Sequence, residues 1–168
     1  MLAAMPLVSS LGLGYAKEVK VITSLVLGLN GNAVTVSEKV TQRNFTRKQS
    51  WPCNVALGCL SVAATGNVRK KQNRPKLRFA TVFPYNCHYY QLRDWVNSSN
   101  LSEADLHMVV VPPVNMVAFL QSGEVDSCCV GGPWNAKAVR AGIGLTALTS
   151  FDIWQDSPEK LLGMLASI

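Results

Sequence analysis

The apolar positions of this chain fall in short blocks separated by polar turns. Residues 19–29 (VKVITSLVLGL) form a near-continuous, β-branched apolar run, which predicts a buried strand. Asn30 and Gly31 then predict a turn, with a helix starting near Thr35 or Ser37. From residue 77 the blocks alternate. Residues 77–83 predict a strand, and 88–99 a helix with Tyr89, Leu92 and Val96 on one face. Residues 106–112 predict a strand stopped by Pro112 and Pro113, and 114–123 a helix closed by Gly123. Residues 125–131 predict a strand stopped by Gly131 and Gly132, and 133–142 a helix with Pro133 in its first turn. A strand over 144–150 and a helix over 157–165, with Ser157 as N-cap and Pro158 after it, complete the series. Residues 1–14 predict a short helix ending at Gly12 or Gly14.

This order predicts an α/β fold with helices on a largely parallel sheet. The strands 19–29, 77–83, 106–111, 125–130 and 144–149 are expected in one sheet, parallel or mixed. Ligands of such sheets bind at the carboxyl ends of the strands. Three turns stand at that edge: 30–32, 84–88 and 131–135. Residues 44–68 show no consistent period, and poor packing is expected there.

A length of 168 residues suits one domain. With 48% hydrophobic and 15% charged residues, the chain can bury a core and is not disordered by composition. The net charge of +6 is concentrated between residues 39 and 78, where no acid interrupts the lysines and arginines. Neither aromatic interleaving nor a nucleic-acid motif accompanies them, so the segment reads as a solvated basic surface and no nucleic-acid partner is expected. Five cysteines without a CxxC give no zinc-ribbon or redox motif. Cys128 and Cys129 adjoin in a strand and should face opposite ways as buried thiols. No apolar run reaches the roughly 18 residues of a membrane helix. The apolar start lacks the positive n-region of a secure signal peptide.

No enzyme motif is present: no GxxxxGK[ST], GxSxG, HExxH or dinucleotide-binding GxGxxG. A Cys87–His88 dyad is expected to point apart, as sequence neighbours on a turn do, and no catalysis or metal site is expected. His107 reads as a surface or core residue. His88 stands out because Pro84 stops the preceding strand and delivers the histidine to the sheet's carboxyl edge.

The stretches RFATVFPYNCHYYQLRDWV, VVVPPVNMVAFLQSGEVDSCCVGGPWNAKAV and GIGLTALTSFDIWQDSPEKLLG together resemble the nitrate-binding proteins of ABC transporters and their relatives that sense nitrate and nitrite. MLAAMPLVSSLGLG and LVLGLNGNAVTVS match earlier segments of that family in order, so the resemblance covers residues 1–43 and 69–165. It implies a three-layer αβα lobe of a type II periplasmic-binding-protein fold, with two lobes closing on an oxyanion. Residues 1–29 are then a remnant of the first lobe and a hinge strand. Residues 30–143 are the second, ligand-binding lobe, with 44–68 atypical. Residues 144–168 are a return strand and helix toward the first lobe, so the chain resembles a fragment of a longer protein.

The resemblance implies an anion site made of the Asn32 amide, the His88 ring, the backbone of Gly131 and the charge of Lys160. Each charge-assisted bond there would contribute about 1.5–3 kcal/mol. With His88 as donor, and Tyr89 and Tyr90 holding it in place, binding is expected to strengthen as pH falls through about 6.5. The chain departs from the family's Ser-x-His-Asn-Tyr pattern at residues 86–90, and carries Gly132 where the family has an acid. The implied function is substrate binding for nitrate or nitrite uptake, with no cofactor and with ABC permease and ATPase subunits as partners, in the periplasm or anchored at the membrane. The alternatives are a cytoplasmic nitrate or nitrite sensor acting on a regulatory protein, and an enzyme of the thiamine-pyrimidine synthesis type.

Overall fold

A computed structural model describes residues 8, 10–13, 17–41, 66–98 and 101–166. The strands are β1 (Val21–Leu29), β2 (Asn32–Ser37), β3 (Leu77–Thr81), β4 (Leu106–Val110), β5 (Ser127–Gly131), β6 (Gly144–Thr149) and β7 (Pro158–Leu165). The helices are α1 (Glu38–Thr41), α2 (Cys87–Asn97), α3 (Met116–Ser122), α4 (Trp134–Arg140) and α5 (Ser150–Ile153), and residues 66–71 are also helical. Five strands form one sheet in the order β4-β3-β5-β2-β6. The β3–β4 and β3–β5 pairs are parallel, while β2 runs antiparallel to both β5 and β6. The sheet is therefore mixed. Strands 77–81 and 106–110 lie side by side in it, with Leu77 opposite Leu106 and Thr81 opposite Val110.

Alternating side chains divide the core between the two faces of this sheet. Phe79, Val34, Val36, Cys129 and Leu148 pack with Leu92, Trp95 and Val96 of α2 on one face. Ala80, Cys128 and Val130 pack with Met116, Leu120 and Ala138 of α3 and α4 on the other. The adjacent cysteines thus face opposite ways, both buried and free. This arrangement is the three-layer αβα lobe. Gly123 closes α3 in the left-handed conformation expected of it (φ 82).

Three expectations fail. Residues 32–37 are a fully buried strand rather than a turn into a helix, and helix begins only at Glu38. The Val-Thr-Val run favours a pleated, buried site over the helix start that Ser37 suggested. Residues 158–165 form β7, not a helix, because they pair antiparallel with β1 from Val21↔Leu165 to Leu29↔Pro158. Tertiary pairing overrides the Ser-Pro start signal. β1 is not in the main sheet and is not buried: β1 and β7 make a separate two-stranded ribbon. Ile22, Leu25, Val26, Leu27, Leu29, Leu162, Met164 and Leu165 stay exposed on it. A continuous apolar run records that both faces are apolar, but not which element covers them. Most of the atypical stretch 44–68 and the signal-like start lie outside the described residues, as do Cys53 and Cys59.

Gly144 sits opposite Ser37 where β6 begins. A Cβ there would lie 2.8 Å from the Val36 carbonyl oxygen and 3.0 Å from Thr35 Cγ2. The Val36 backbone belongs to β2, held between β5 and β6, and cannot yield cheaply, so Gly144→Ala is expected to destabilise the fold by about 1–3 kcal/mol. Equilibrium urea unfolding checks this; an unchanged midpoint would show that the β2–β6 register relaxes freely.

Candidate functional site

The turn after β1 takes two left-handed residues, Asn30 (φ 54) and Gly31 (φ 100). The Asn30 amide donates to the Ser157 carbonyl at 2.8 Å, which ties this turn to the entry of β7. The chain then enters β2 at Asn32. Because β2 runs against β5, its first residue pairs with Gly131, the last residue of β5. Asn32 therefore stands at the carboxyl edge of the parallel strands although it begins its own strand. A Cβ at Gly131 would approach Asn32 Oδ1 to 3.2 Å, so the bare glycine makes room for the carboxamide.

The third segment arrives from β3. The strand stops at Thr81, and the chain turns through Pro84 and Tyr85 to Asn86, the N-cap of α2. Asn86 Oδ1 accepts from the Tyr89 amide at 2.9 Å. The buried face of α2 is Cys87, His88, Gln91, Leu92, Trp95 and Val96. It begins at Cys87, two residues before the Tyr89 of the expected face, and it carries His88 and Gln91 inward with the apolar residues. Tyr89 and Tyr90 stack edge to face on each other, with ring centroids 5.4 Å apart. The Tyr89 hydroxyl reaches Glu103. The tyrosines do not hold the histidine; asparagines do.

Those asparagines begin a directed chain of hydrogen bonds. With Asn86 Oδ1 occupied by the Tyr89 amide, its Nδ2 faces His88 Nδ1 at 3.1 Å and donates to it. The ring proton must then sit on Nε2, which lies 2.9 Å from Asn32 Oδ1 and donates to it. Asn32 Nδ2 donates to Gln91 Oε1 at 3.3 Å, and Gln91 Nε2 donates to Glu159 Oε1 at 3.3 Å. The Cys87 thiol donates to Glu159 Oε2 at 3.5 Å. All six side chains are buried.

Burial sets the protonation states. It pushes His88 down to about 4, so the ring is neutral near pH 7. This corrects the expectation that anion binding should follow a histidine titrating near pH 6.5. Burial, and then the Glu159 charge, push the Cys87 thiol up to about 12. A thiol held un-ionised is no nucleophile at neutral pH. Burial also raises Glu159; hydrogen bonds from Gln91, Asn32 and Cys87, and the nearby Lys160 charge, oppose it.

Three of the four candidate residues, Asn32, His88 and Gly131, come together at this edge. Lys160 does not join their hydrogen bonds. It lies on β7 opposite Gly28, exposed, while its neighbour Glu159 turns inward as strand alternation requires. Cys87 does not point away from His88: the Cys87 sulfur, a His88 ring nitrogen and a Glu159 carboxylate oxygen lie within 4.8 Å of one another. Gln91 was missed, although its place one helical turn after His88 was a signal for it. Glu159 had no signal of its own, because a helix over 157–165 does not bring it here.

The whole chain, residues 1–168, matches the model of the NMT1-like family. It is 32% identical, over 98% of its length, to the nitrate import ATP-binding protein NrtC of Synechocystis sp., and spans 22% of that protein. It is 31% identical, over 90% of its length, to the bicarbonate transport ATP-binding protein CmpC of the same organism, and spans 21% of it. Its fold superposes on the crystal structure of the periplasmic nitrate-binding protein NrtA from Synechocystis with a TM-score of 0.81 and 27% identity, covering 99% of this chain and 40% of that one. The chain thus spans less than half the length of each of these relatives.

Proposed function

The chain belongs to the NMT1-like family, and from that premise we propose that it is one lobe of a substrate-binding component that holds nitrate or nitrite for import by an ABC transporter. The observation that carries this reading is the superposition of nearly the whole chain on the nitrate-binding protein NrtA. In this reading residues 30–143 are the second lobe, and 1–29 and 144–168 lead toward a first lobe. The exposed apolar ribbon of β1 and β7 is the surface such a lobe would cover. The partners are the permease and ATPase subunits, and the site of action is the periplasm. The stretch shared with NrtC is not read as a nucleotide site, since this chain has no phosphate-binding GxxxxGK[ST] loop. The relatives reported above are transport components, and none of them favours a cytoplasmic sensor or a pyrimidine-synthesis enzyme.

Asn32, His88 and Gly131 provide the anion's donors in this proposal, and Lys160 the positive charge, which is already felt at Glu159. The His88 Nε2 proton is given to Asn32 Oδ1 in the present geometry. A bound anion therefore takes the place of the Asn32 oxygen as acceptor from the ring. Nitrate gains by this exchange because a charged acceptor is stronger than an amide oxygen.

The test is titration calorimetry of this chain joined to a first lobe, with nitrate, nitrite and bicarbonate in turn. Nitrate or nitrite should bind, and His88→Ala should weaken binding about ten- to a hundredfold, the worth of one charge-assisted bond. The similarity to CmpC favours a second reading, in which bicarbonate is the ligand. Binding of bicarbonate alone would select it. Failure of all three anions to bind would reject both.

A further inference from the structure

We propose that Cys87, His88 and Glu159 form a site for a divalent metal ion of the zinc class. The three side chains come from two elements far apart in sequence, the first turn of α2 and the start of β7. One ligand atom from each lies within 4.8 Å of the other two, and all three residues are buried. The Cys87 sulfur and Glu159 Oε2 are 3.5 Å apart, close to the edge of a tetrahedron around an ion that binds sulfur at about 2.3 Å and oxygen at about 2.0–2.2 Å.

Charge favours the ion. A carboxylate buried beside a thiol and two amides receives neutral donors in place of a cation; Lys160, one residue along, is exposed. A thiolate and a carboxylate together neutralise a 2+ ion, which leaves an uncharged buried centre. A sulfur, a ring nitrogen and a carboxylate oxygen are a borderline set that suits Zn2+ and not Mg2+ or Ca2+. Three protein ligands leave a fourth position open.

Binding has a defined proton balance. The Cys87 thiol proton leaves to solvent as sulfur bonds to the ion. The ring must offer a lone pair. If Nε2 coordinates, its bond to Asn32 is lost and the ring proton moves to Nδ1, which now faces the Asn86 amide nitrogen. The Asn86 carboxamide then turns to present its oxygen, giving up its cap on the Tyr89 amide. One capping bond is small beside three metal–ligand bonds. The ion uses a ring lone pair where the proposed anion uses a ring proton, so this inference does not rest on the anion reading.

The experiment titrates the full reduced chain with Co2+ and then Zn2+. Co2+ is expected to bind one per chain with a strong near-ultraviolet thiolate-to-cobalt absorption, which Zn2+ abolishes by displacement. Cys87→Ser should remove the absorption, and Glu159→Gln should weaken binding at least about tenfold. In the unmodified chain, Zn2+ should raise the melting temperature. Absence of the cobalt absorption overturns the proposal. So does an absorption that survives Cys87→Ser, which would assign it to another thiol. Should Cys87→Ser fail to fold, Glu159→Gln and His88→Gln decide, and cobalt affinity unchanged in both overturns the site.

Discussion

Asp126→Ala is expected to cost about 3 kcal/mol of folding stability, because one carboxylate joins several parts of the lobe. Asp126 stands immediately before β5 and is nearly buried. Its two oxygens accept from both terminal nitrogens of Arg69, at 2.9 and 3.2 Å, in the forked geometry that suits a guanidinium. Oδ2 also accepts from the Arg78 amide at 2.9 Å. The backbone of Asp126 adds two more ties, donating to the Arg78 carbonyl at 2.8 Å and accepting from the Ser37 amide at 2.9 Å. The helical residues 66–71, the start of β3 and the end of β2 therefore meet at one residue. Alanine leaves the guanidinium and the Arg78 N–H without their acceptor. Asn keeps the shape and one carbonyl acceptor, and should cost distinctly less. Urea unfolding with an unchanged slope checks the comparison. A loss below about 1 kcal/mol for alanine would mean that water replaces the carboxylate without penalty.

Phe79→Ala should cost more, about 3–5 kcal/mol. Phe79 lies in β3, flanked by β4 and β5, and is fully buried on the face covered by α2. Its ring meets Trp95 edge to face, with centroids 6.1 Å apart, so truncation removes an aromatic pair as well as apolar area. The backbone on both sides is held by parallel pairing to β4 and β5 and cannot collapse into the space. Phe79→Leu should recover most of the loss. Thermal and urea unfolding of both variants would read this. An alanine variant within about 1 kcal/mol of the unmodified chain would mean that α2 is not firmly docked on the sheet.

How much of this was written in the pattern of residues varies from element to element. The alternation of 77–83 with the helix after it, and of 106–111 with 114–123, was legible because each block is bounded by Pro or Gly and carries one clear period. Cys128 and Cys129 were legible as opposite faces for the same reason. Residues 32–37 were misread because Asn30, Gly31 and Ser37 are strong punctuation, and punctuation was given more weight than the β-branched core of the segment. His88, Asn32 and Gly131 were placed at one edge by the rule that strands deliver ligands there. Their mutual bonds were not foreseen, nor was the consequence that His88 is neutral.

The local sequence settles the order of strand and helix from residue 77 to 149 and the opposite facing of Cys128 and Cys129, because those depend on neighbours within a few residues. It also places a histidine after the strand that begins at residue 77, although that strand ends at Thr81, three residues before Pro84. What only the tertiary structure decided is pairing across long separations. The run 158–165 carries a helix start signal, yet it is a strand because β1, more than a hundred residues earlier, offers it an unpaired edge. That one pairing turns Glu159 inward to Cys87 and Gln91 and leaves Lys160 outside. Burial then fixes the charges of the cluster, lowering His88 and raising Cys87 and Glu159. Neither strand partner nor desolvation is a property of the segment that experiences it, which is why local sequence reading reached the edge of this site but not its interior.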